Sequence, residues 1–196
     1  MKVTIFDYTV GNVHSLAKAF SIVGADVTIE TKLKSFKGVD LLVLPGVGAF
    51  DPAAETLNTY KNDILENLND GLACFGVCLG MQIFSEKSEE GELPVLGIIK
   101  GEVWKIESKR TPHMGWNDIY GNDKILKQSG MTNGYYANSF VCQPEDDKVV
   151  VALSKQDNDE FPAIVKQDNI TGVQFHPEKS SVGGINFLRE YVRSLS

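Results

Sequence analysis

The stretch Gly76-Val77-Cys78-Leu79-Gly80 limits what this chain can fold into more than any other segment. An apolar run, Leu72-Ala73-Cys74-Phe75, precedes it, and Met81-Gln82-Ile83-Phe84 follows with the capacity to start a helix. A strand that feeds a helix through a glycine-flanked residue is the nucleophile-elbow arrangement. The turn leaves no room for a side chain on either flank, which is why Gly76 and Gly80 stand there. It holds the central side chain in the open with backbone amides behind it. Here that side chain is the thiol of Cys78, a candidate nucleophile that needs a base and an oxyanion site elsewhere in the chain.

The residues before the elbow read as alternating strands and helices. Val3-Thr4-Ile5-Phe6 is β-branched and aromatic, as a first strand should be. After the turn chemistry of Asp7 to Asn12, Val13, Leu16, Ala17, Phe20 and Val23 recur at helical spacing up to Gly24. Asp26 to Glu30 reads as a second strand. Asp40 to Leu44 is a short continuous apolar run, the signature of a strand buried on both faces, and Pro45 stops it. A helical pattern covers roughly Ala53 to Asn69 with Leu57, Ile64, Leu65 and Leu68 inward. This alternation predicts an α/β fold with a parallel sheet in the first half.

The second half reads as short strands at Ile98-Ile99, Val103 to Ile106, Tyr135 to Ala137, Val149 to Leu153, Ala163 to Val165 and Ile170 to Phe175. Gly, Asn and Asp turns between several of them predict antiparallel hairpins. A last amphipathic helix runs from about Gly184 to Leu195, with Phe187, Leu188, Val192 and Leu195 on one face. Ser85 to Gly91 and Glu92 form a polar connection. With 196 residues and no linker or repeat, the chain is expected to form one domain over residues 1–196.

A net charge of -7 argues against nucleic acid or an anionic membrane as the main partner. No stretch approaches the ~18 apolar residues that span a bilayer. Three irregularly spaced cysteines (Cys74, Cys78, Cys142) predict free thiols in a reducing cytoplasm. Cys74 has no accompanying Cys/His pair, so no metal site is expected, and Cys142 reads as a small buried apolar residue.

The base is sought in Gly172-Val173-Gln174-Phe175-His176-Pro177-Glu178-Lys179-Ser180. Val173 and Phe175 share one strand face, and Gln174 and His176 the other. Pro177 ends the pairing, so His176 falls at a strand end, where α/β sheets carry their sites. If the chain stays extended through Pro177, Glu178 points to the same side and accepts a hydrogen bond from one imidazole nitrogen. That fixes the tautomer and raises the basicity of the other. The third element is Leu44-Pro45-Gly46-Val47-Gly48-Ala49-Phe50, which lacks the lysine of a phosphate loop. Its Val47 and Gly48 amides, with that of Leu79, form a candidate oxyanion hole. Taken alone, the same segment is also a plain strand-to-loop turn.

These residues resemble the class I, triad-type glutamine amidotransferases, in Gly76 to Gln82 and in Gln174 to Glu178. Pro45 to Phe50, Pro112-His113-Met114-Gly115-Trp116-Asn117 and Pro177 to Ser180 narrow the likeness to the glutaminase subunits of imidazole glycerol phosphate synthase, along the full length. The resemblance implies an open twisted mixed sheet flanked by helices, with additional antiparallel strands in the second half. It implies hydrolysis of L-glutamine through Cys78, His176 and Glu178, without a cofactor, and ammonia passed to a (β/α)8-barrel cyclase subunit. It places Gly46, Gln82, Ser139 and Phe140 around the glutamine, and Asn12, Met114, Trp116, Tyr136 and Lys179 at the partner interface. For Met114 and Trp116, core packing is an equal reading. His113 reads as structural or interfacial and His14 as a surface helix residue. The chain departs from the family at Thr9, where glycine is usual, and at Asn138-Ser139-Phe140, where His-Ser/Thr-Tyr is usual. Such drift also suits a paralogue feeding ammonia to another synthase. A cysteine peptidase on the same scaffold and a non-catalytic assembly subunit are the rival classes.

Overall fold

The computed structural model describes residues 1–8, 13–46, 48–108 and 111–195. A nine-stranded mixed sheet organises the chain, in the order β2-β1-β3-β4-β12-β11-β10-β7-β8. The first four strands in sequence, β1 (Lys2–Phe6), β2 (Asp26–Glu30), β3 (Leu41–Leu44) and β4 (Ala73–Val77), run parallel, and β12 (Ile170–Val173) joins them parallel to β4. Beyond β12 every pairing is antiparallel, through β11 (Asp159–Gln167), β10 (Val150–Gln156), β7 (His113–Gly121) and β8 (Asn133–Asn138). A small second sheet, β5 (Lys87–Ser88), β6 (Gly101–Lys105) and β9 (Phe140–Pro144), packs beside it.

Period-two alternation divides the core between the two faces of the large sheet. Val3, Ile5, Leu41, Val43, Phe75 and Val77 face α1 (Val13–Ile22) and α6 (Ser181–Ser194), which contribute Leu16, Phe20, Phe187 and Leu188. Phe6, Leu42, Leu44 and Cys74 face α2 (Phe50–Asn58) and α3 (Lys61–Asn69), which contribute Ala53, Leu57, Ile64 and Leu68. All four residues of β3 are buried, as a strand covered on both sides requires.

Several elements differ from the sequence reading. The helix expected over Ala53–Asn69 is two helices, broken at Thr59-Tyr60. Thr56 and Thr59 hydroxyls donate to the Pro52 and Glu55 carbonyls, and Asn58 Nδ2 donates to the Pro94 carbonyl at 2.8 Å. These side chains compete with the helical ladder, and Tyr60 turns in to pack edge-on against Phe6. Leu65 is only half-buried. Ile98-Ile99 is not a strand, because both amides donate to the Phe84 carbonyl. The polar connection after Phe84 begins with a buried Ser85 and contains β5. Leu195, expected on the buried face of the last helix, lies past its end and is 38% exposed. The sequence reading also lacked β9 and α5 (Lys124–Ser129), which Asp123 caps by accepting from the Leu126 amide.

The largest omission is β7. Its large apolar residues, Met114, Trp116 and Tyr120, point outward, while His113 and Ile119 point in. Inverted polarity of this kind defeats a reading that takes large apolar side chains as inward.

Candidate active site

Backbone strain marks the elbow. Cys78 adopts φ 51 and ψ -107, in the left-handed region that non-glycine residues rarely enter. The conformation is held from both sides. The Cys78 amide donates to the Val173 carbonyl at 2.7 Å, and the Cys78 carbonyl accepts from the Met81 and Gln82 amides. The flanking glycines are required by close approach: a Cβ on Gly76 would lie 2.5 Å from the Gly80 carbonyl oxygen, and one on Gly80 would lie 1.9 Å from that of Leu44. The helix that follows, α4 (Leu79–Gln82), is a single turn. It stops there because the Ile83 and Phe84 carbonyls are taken by the amides of Leu96, Ile98 and Ile99. A one-turn helix offers Cys78 its first free amides but little macrodipole.

Gly46 lies directly over this turn. A Cβ on Gly46 would come within 1.8 Å of the Val77 oxygen and 2.4 Å of the Leu79 nitrogen. Gly48 has φ 129, a conformation that favours glycine. The loop is tied from behind by the buried Tyr8 hydroxyl, which donates to the Pro45 carbonyl. Burial raises the Tyr8 pKa well above its ordinary value, with the neighbouring Cys74, Cys78 and Asp7 adding, so the hydroxyl stays a donor. Val47, the other expected oxyanion donor, lies outside the described residues, as do Asn12 and Thr9.

His176 and Glu178 meet, though not by the route expected. The chain does not stay extended; residues Pro177–Lys179 form one 3-10 turn. That turn still brings His176 Nδ1 within 2.9 Å of Glu178 Oε1, both side chains being almost fully buried. Among the described residues Nε2 has no hydrogen-bond partner. Burial by itself would lower the His176 pKa. The Cys78 sulfur and then the Glu178 carboxylate outweigh it and push the value up to about 10. The imidazole therefore feels the thiol electrostatically, although no hydrogen bond of regular geometry joins Nε2 to the sulfur.

One pocket of about 240 Å³ collects Gly46, Gly48, Cys78, Leu79 and Gln82 with Glu90, Pro112, Ala137, Asn138, Ser139 and Phe140. Every oxyanion and substrate position expected from the sequence and described here lines it. A wider cleft of about 600 Å³, walled by Met1, Asp40, Leu72 and Leu195, lies at the opposite ends of the parallel strands, away from the thiol. Glu90, Pro112 and Ala137 are pocket residues that the sequence reading did not assign to it, and Glu90 is the charged one among them. Partial burial raises its pKa, with Asp51 adding and a Phe50 backbone hydrogen bond opposing. Its segment shows only as a polar connection in sequence, and no periodicity points it inward.

The expected interface residues separate. Met114 is 63% and Trp116 52% exposed, so neither is a core residue. Trp116 meets Tyr135 edge-on at 6.2 Å, and Lys179 Nζ lies 6.0 Å from the Tyr135 ring centroid. Tyr136, expected beside them, is fully buried, with its ring stacked on His113 at 5.2 Å; alternation along β8 turns it into the core and leaves Tyr135 outside. His113 is a buried structural residue whose pKa is lowered by desolvation, against the pull of Asp157. His14 is exposed on α1.

A strained cysteine at a strand-to-helix turn under a glycine loop, near a histidine held by a buried carboxylate, is the arrangement a thiol-dependent hydrolase of α/β architecture requires. The class-I glutamine amidotransferase family profile matches residues 4–192. The chain is 37% identical to the imidazole glycerol phosphate synthase subunit HisH of Pyrococcus furiosus, over 98% of each chain. It is 38% identical to the HisH of Methanothermobacter thermautotrophicus over 97% of each. This chain belongs to the class-I glutamine amidotransferases and, within them, to the HisH subunits of imidazole glycerol phosphate synthase. The fold agrees with two solved structures at 20% identity. One is the structure of PurLQS from Thermotoga maritima (TM-score 0.79, covering 100% of this chain and 99% of that one). The other is a crystal structure of a glutamine amidotransferase (TM-score 0.76, covering 98% and 97%).

Proposed function

We propose that the chain, as one glutaminase domain over residues 1–196, hydrolyses L-glutamine at Cys78 and hands the ammonia to a cyclase subunit that makes imidazole glycerol phosphate in histidine biosynthesis. The observation that carries this reading is the 2.9 Å contact from His176 Nδ1 to Glu178 Oε1, which frees Nε2 to serve the thiol.

Glutamine lies in the 240 Å³ pocket with its side-chain amide over Cys78 and its ammonium toward the Glu90 carboxylate. Gln82, Ser139 and Phe140 border the same substrate. The sulfur attacks the amide carbon, and the charge that develops on oxygen is met by the amides of Leu79 and of Gly48 or Val47. His176 Nε2 protonates the leaving nitrogen, and ammonia departs from a γ-glutamyl thioester. The same nitrogen then takes a proton from water, which cleaves the thioester and restores the thiol. Glu178 holds the ring in one tautomer through both steps. Cys78→Ala should abolish glutamate production with an unchanged circular dichroism spectrum; substantial remaining turnover would sink the reading.

Met114, Trp116, Tyr135 and Lys179 form the face on which the (β/α)8 subunit docks. The backbone supports this, since the His176 amide donates to the Tyr135 carbonyl at 2.8 Å and so ties the base to that face. Buried free thiols at Cys74 and Cys142 suit a reducing cytoplasm. Among the described residues no helix is long and apolar enough to cross a membrane. Glutamate formation should rise when the cyclase subunit and its nucleotide ligand are added; equal rates with and without them would count against the partnership.

A further inference from the structure

We propose that Gln174 is a positioning residue for the nucleophile: its amide N–H fixes the Cys78 sulfur, and Gln82 fixes the amide of Gln174. The inference rests on the reading of Cys78 as nucleophile and extends it to a group outside the triad and the oxyanion loop.

Gln174 is fully buried and Gln82 is 3% exposed. Two amides taken out of water must find partners for their polar atoms. Gln174 Nε2 donates to Cys78 Sγ at 3.4 Å, and Gln82 Nε2 donates to Gln174 Oε1 at 3.3 Å and to the Phe140 carbonyl at 2.8 Å. The direction of this chain follows from chemistry at its far end. A backbone carbonyl can only accept, so Gln82 must present its nitrogen to Phe140. The second hydrogen on that nitrogen then requires an acceptor, which makes the facing atom of Gln174 its oxygen. The Gln174 nitrogen is left against the sulfur, with no freedom to turn over. The same Phe140 carbonyl also accepts from Asn138 Nδ2 at 3.0 Å, which anchors it further.

The sulfur thus sits between opposite neighbours. As a thiol it reaches the Ala137 carbonyl at 3.9 Å, a weak contact. As a thiolate it has no use for that carbonyl and gains the Gln174 N–H instead. A donor aimed at the sulfur from fully buried amides holds one side-chain rotamer ready for attack. Gln82 therefore serves twice, beside the substrate and behind the nucleophile. Register makes this possible: Gln174 follows β12, which pairs directly with the elbow strand through Val173 and Val77.

The test is alkylation of the full chain by iodoacetamide as a function of pH, with glutaminase kinetics measured alongside in the presence of the cyclase subunit. Gln174→Leu removes the donor, and Gln174→Met removes it while keeping the side-chain length. Either should lower the alkylation rate across the profile about tenfold and lower kcat about tenfold or more, with KM within about twofold. Gln82→Met frees Gln174 to turn and should lower the alkylation rate by less, and this measurement stands if both Gln174 variants fail to fold. An unmoved profile and kcat in the folded variants, with only the melting temperature reduced, would make Gln174 a packing residue and overturn the inference. Turnover surviving in Cys78→Ala is a separate outcome that sinks the nucleophile reading itself.

Discussion

The two halves of the large sheet solve different problems. On the parallel side Cys78 is placed by backbone against backbone: Gly46, Gly76 and Gly80 each leave less than 3 Å between a would-be Cβ and a neighbouring main-chain atom. On the antiparallel side the pocket wall and the exposed face are built from side chains on strand alternation, with Asn138 and Tyr136 inward and Trp116 outward. The first arrangement is stiff and admits no adjustment. The second leaves its side chains free to vary within a fixed register, and Asn138, the last residue of β8, belongs to it. His176 joins the two, following β12, which within the large sheet pairs parallel with β4 and antiparallel with β11.

Substitutions can break or sharpen this contrast. The largest effect is expected at the junction: His176→Ala should cut glutamate production by about 1,000- to 10,000-fold and also lower the melting temperature at neutral pH, because it leaves the buried Glu178 carboxylate without its partner. On the antiparallel wall and its neighbouring loop the cost should fall on binding. Glu90→Gln should raise KM about tenfold or more with kcat nearly kept, read from steady-state kinetics. A drop in kcat alone would remove Glu90 from the substrate ammonium. On the parallel side the cost should fall on the fold. Gly80→Ala forces a methyl against the Leu44 carbonyl and should lose about 1–3 kcal/mol in denaturant titration. The same loss from an antiparallel substitution such as Asn138→Ala would blur the distinction.

The junction also has a pH signature. The His176 pKa is raised above its unfolded value, so its stabilising contribution is fully present below about 6.5 and drains away as pH rises through about 10. The melting temperature of the native chain should fall more between pH 7 and 10.5 than that of His176→Asn. Parallel curves for the two would show that the Cys78 and Glu178 charges do not hold the ring. The smallest effect belongs to the outer face. Trp116→Ala should alter stability by less than about 0.5 kcal/mol while weakening cyclase binding by about 2 kcal/mol, measured calorimetrically.

The same contrast explains what the sequence disclosed. Close backbone packing leaves glycines at fixed spacing, so the elbow and its loop could be read directly. Continuous burial leaves an unbroken apolar run, so β3 was equally plain. His176 and Glu178 were legible as a pair because two residues of separation suffice in either an extended chain or a 3-10 turn. β7 was not legible, since its outward residues are the apolar ones, a pattern set by a surface rather than by the core. The break at Thr59 depends on a bond from Asn58 to Pro94, 36 residues away, which no local window contains. Glu90 lacks a signal for the same reason: what makes it part of the pocket is the fold around it.

The contact of Gly46 with Val77 has a consequence for how this enzyme could be remade. Because main chain meets main chain there, side-chain substitution has little purchase on the spacing between Gly46 and the Val77–Leu79 turn. Efforts to redirect the catalyst toward a longer or bulkier amide would find that wall closed to mutagenesis. New specificity would have to be written on the opposite wall, in the side chains from Ala137 to Phe140 that line the same pocket.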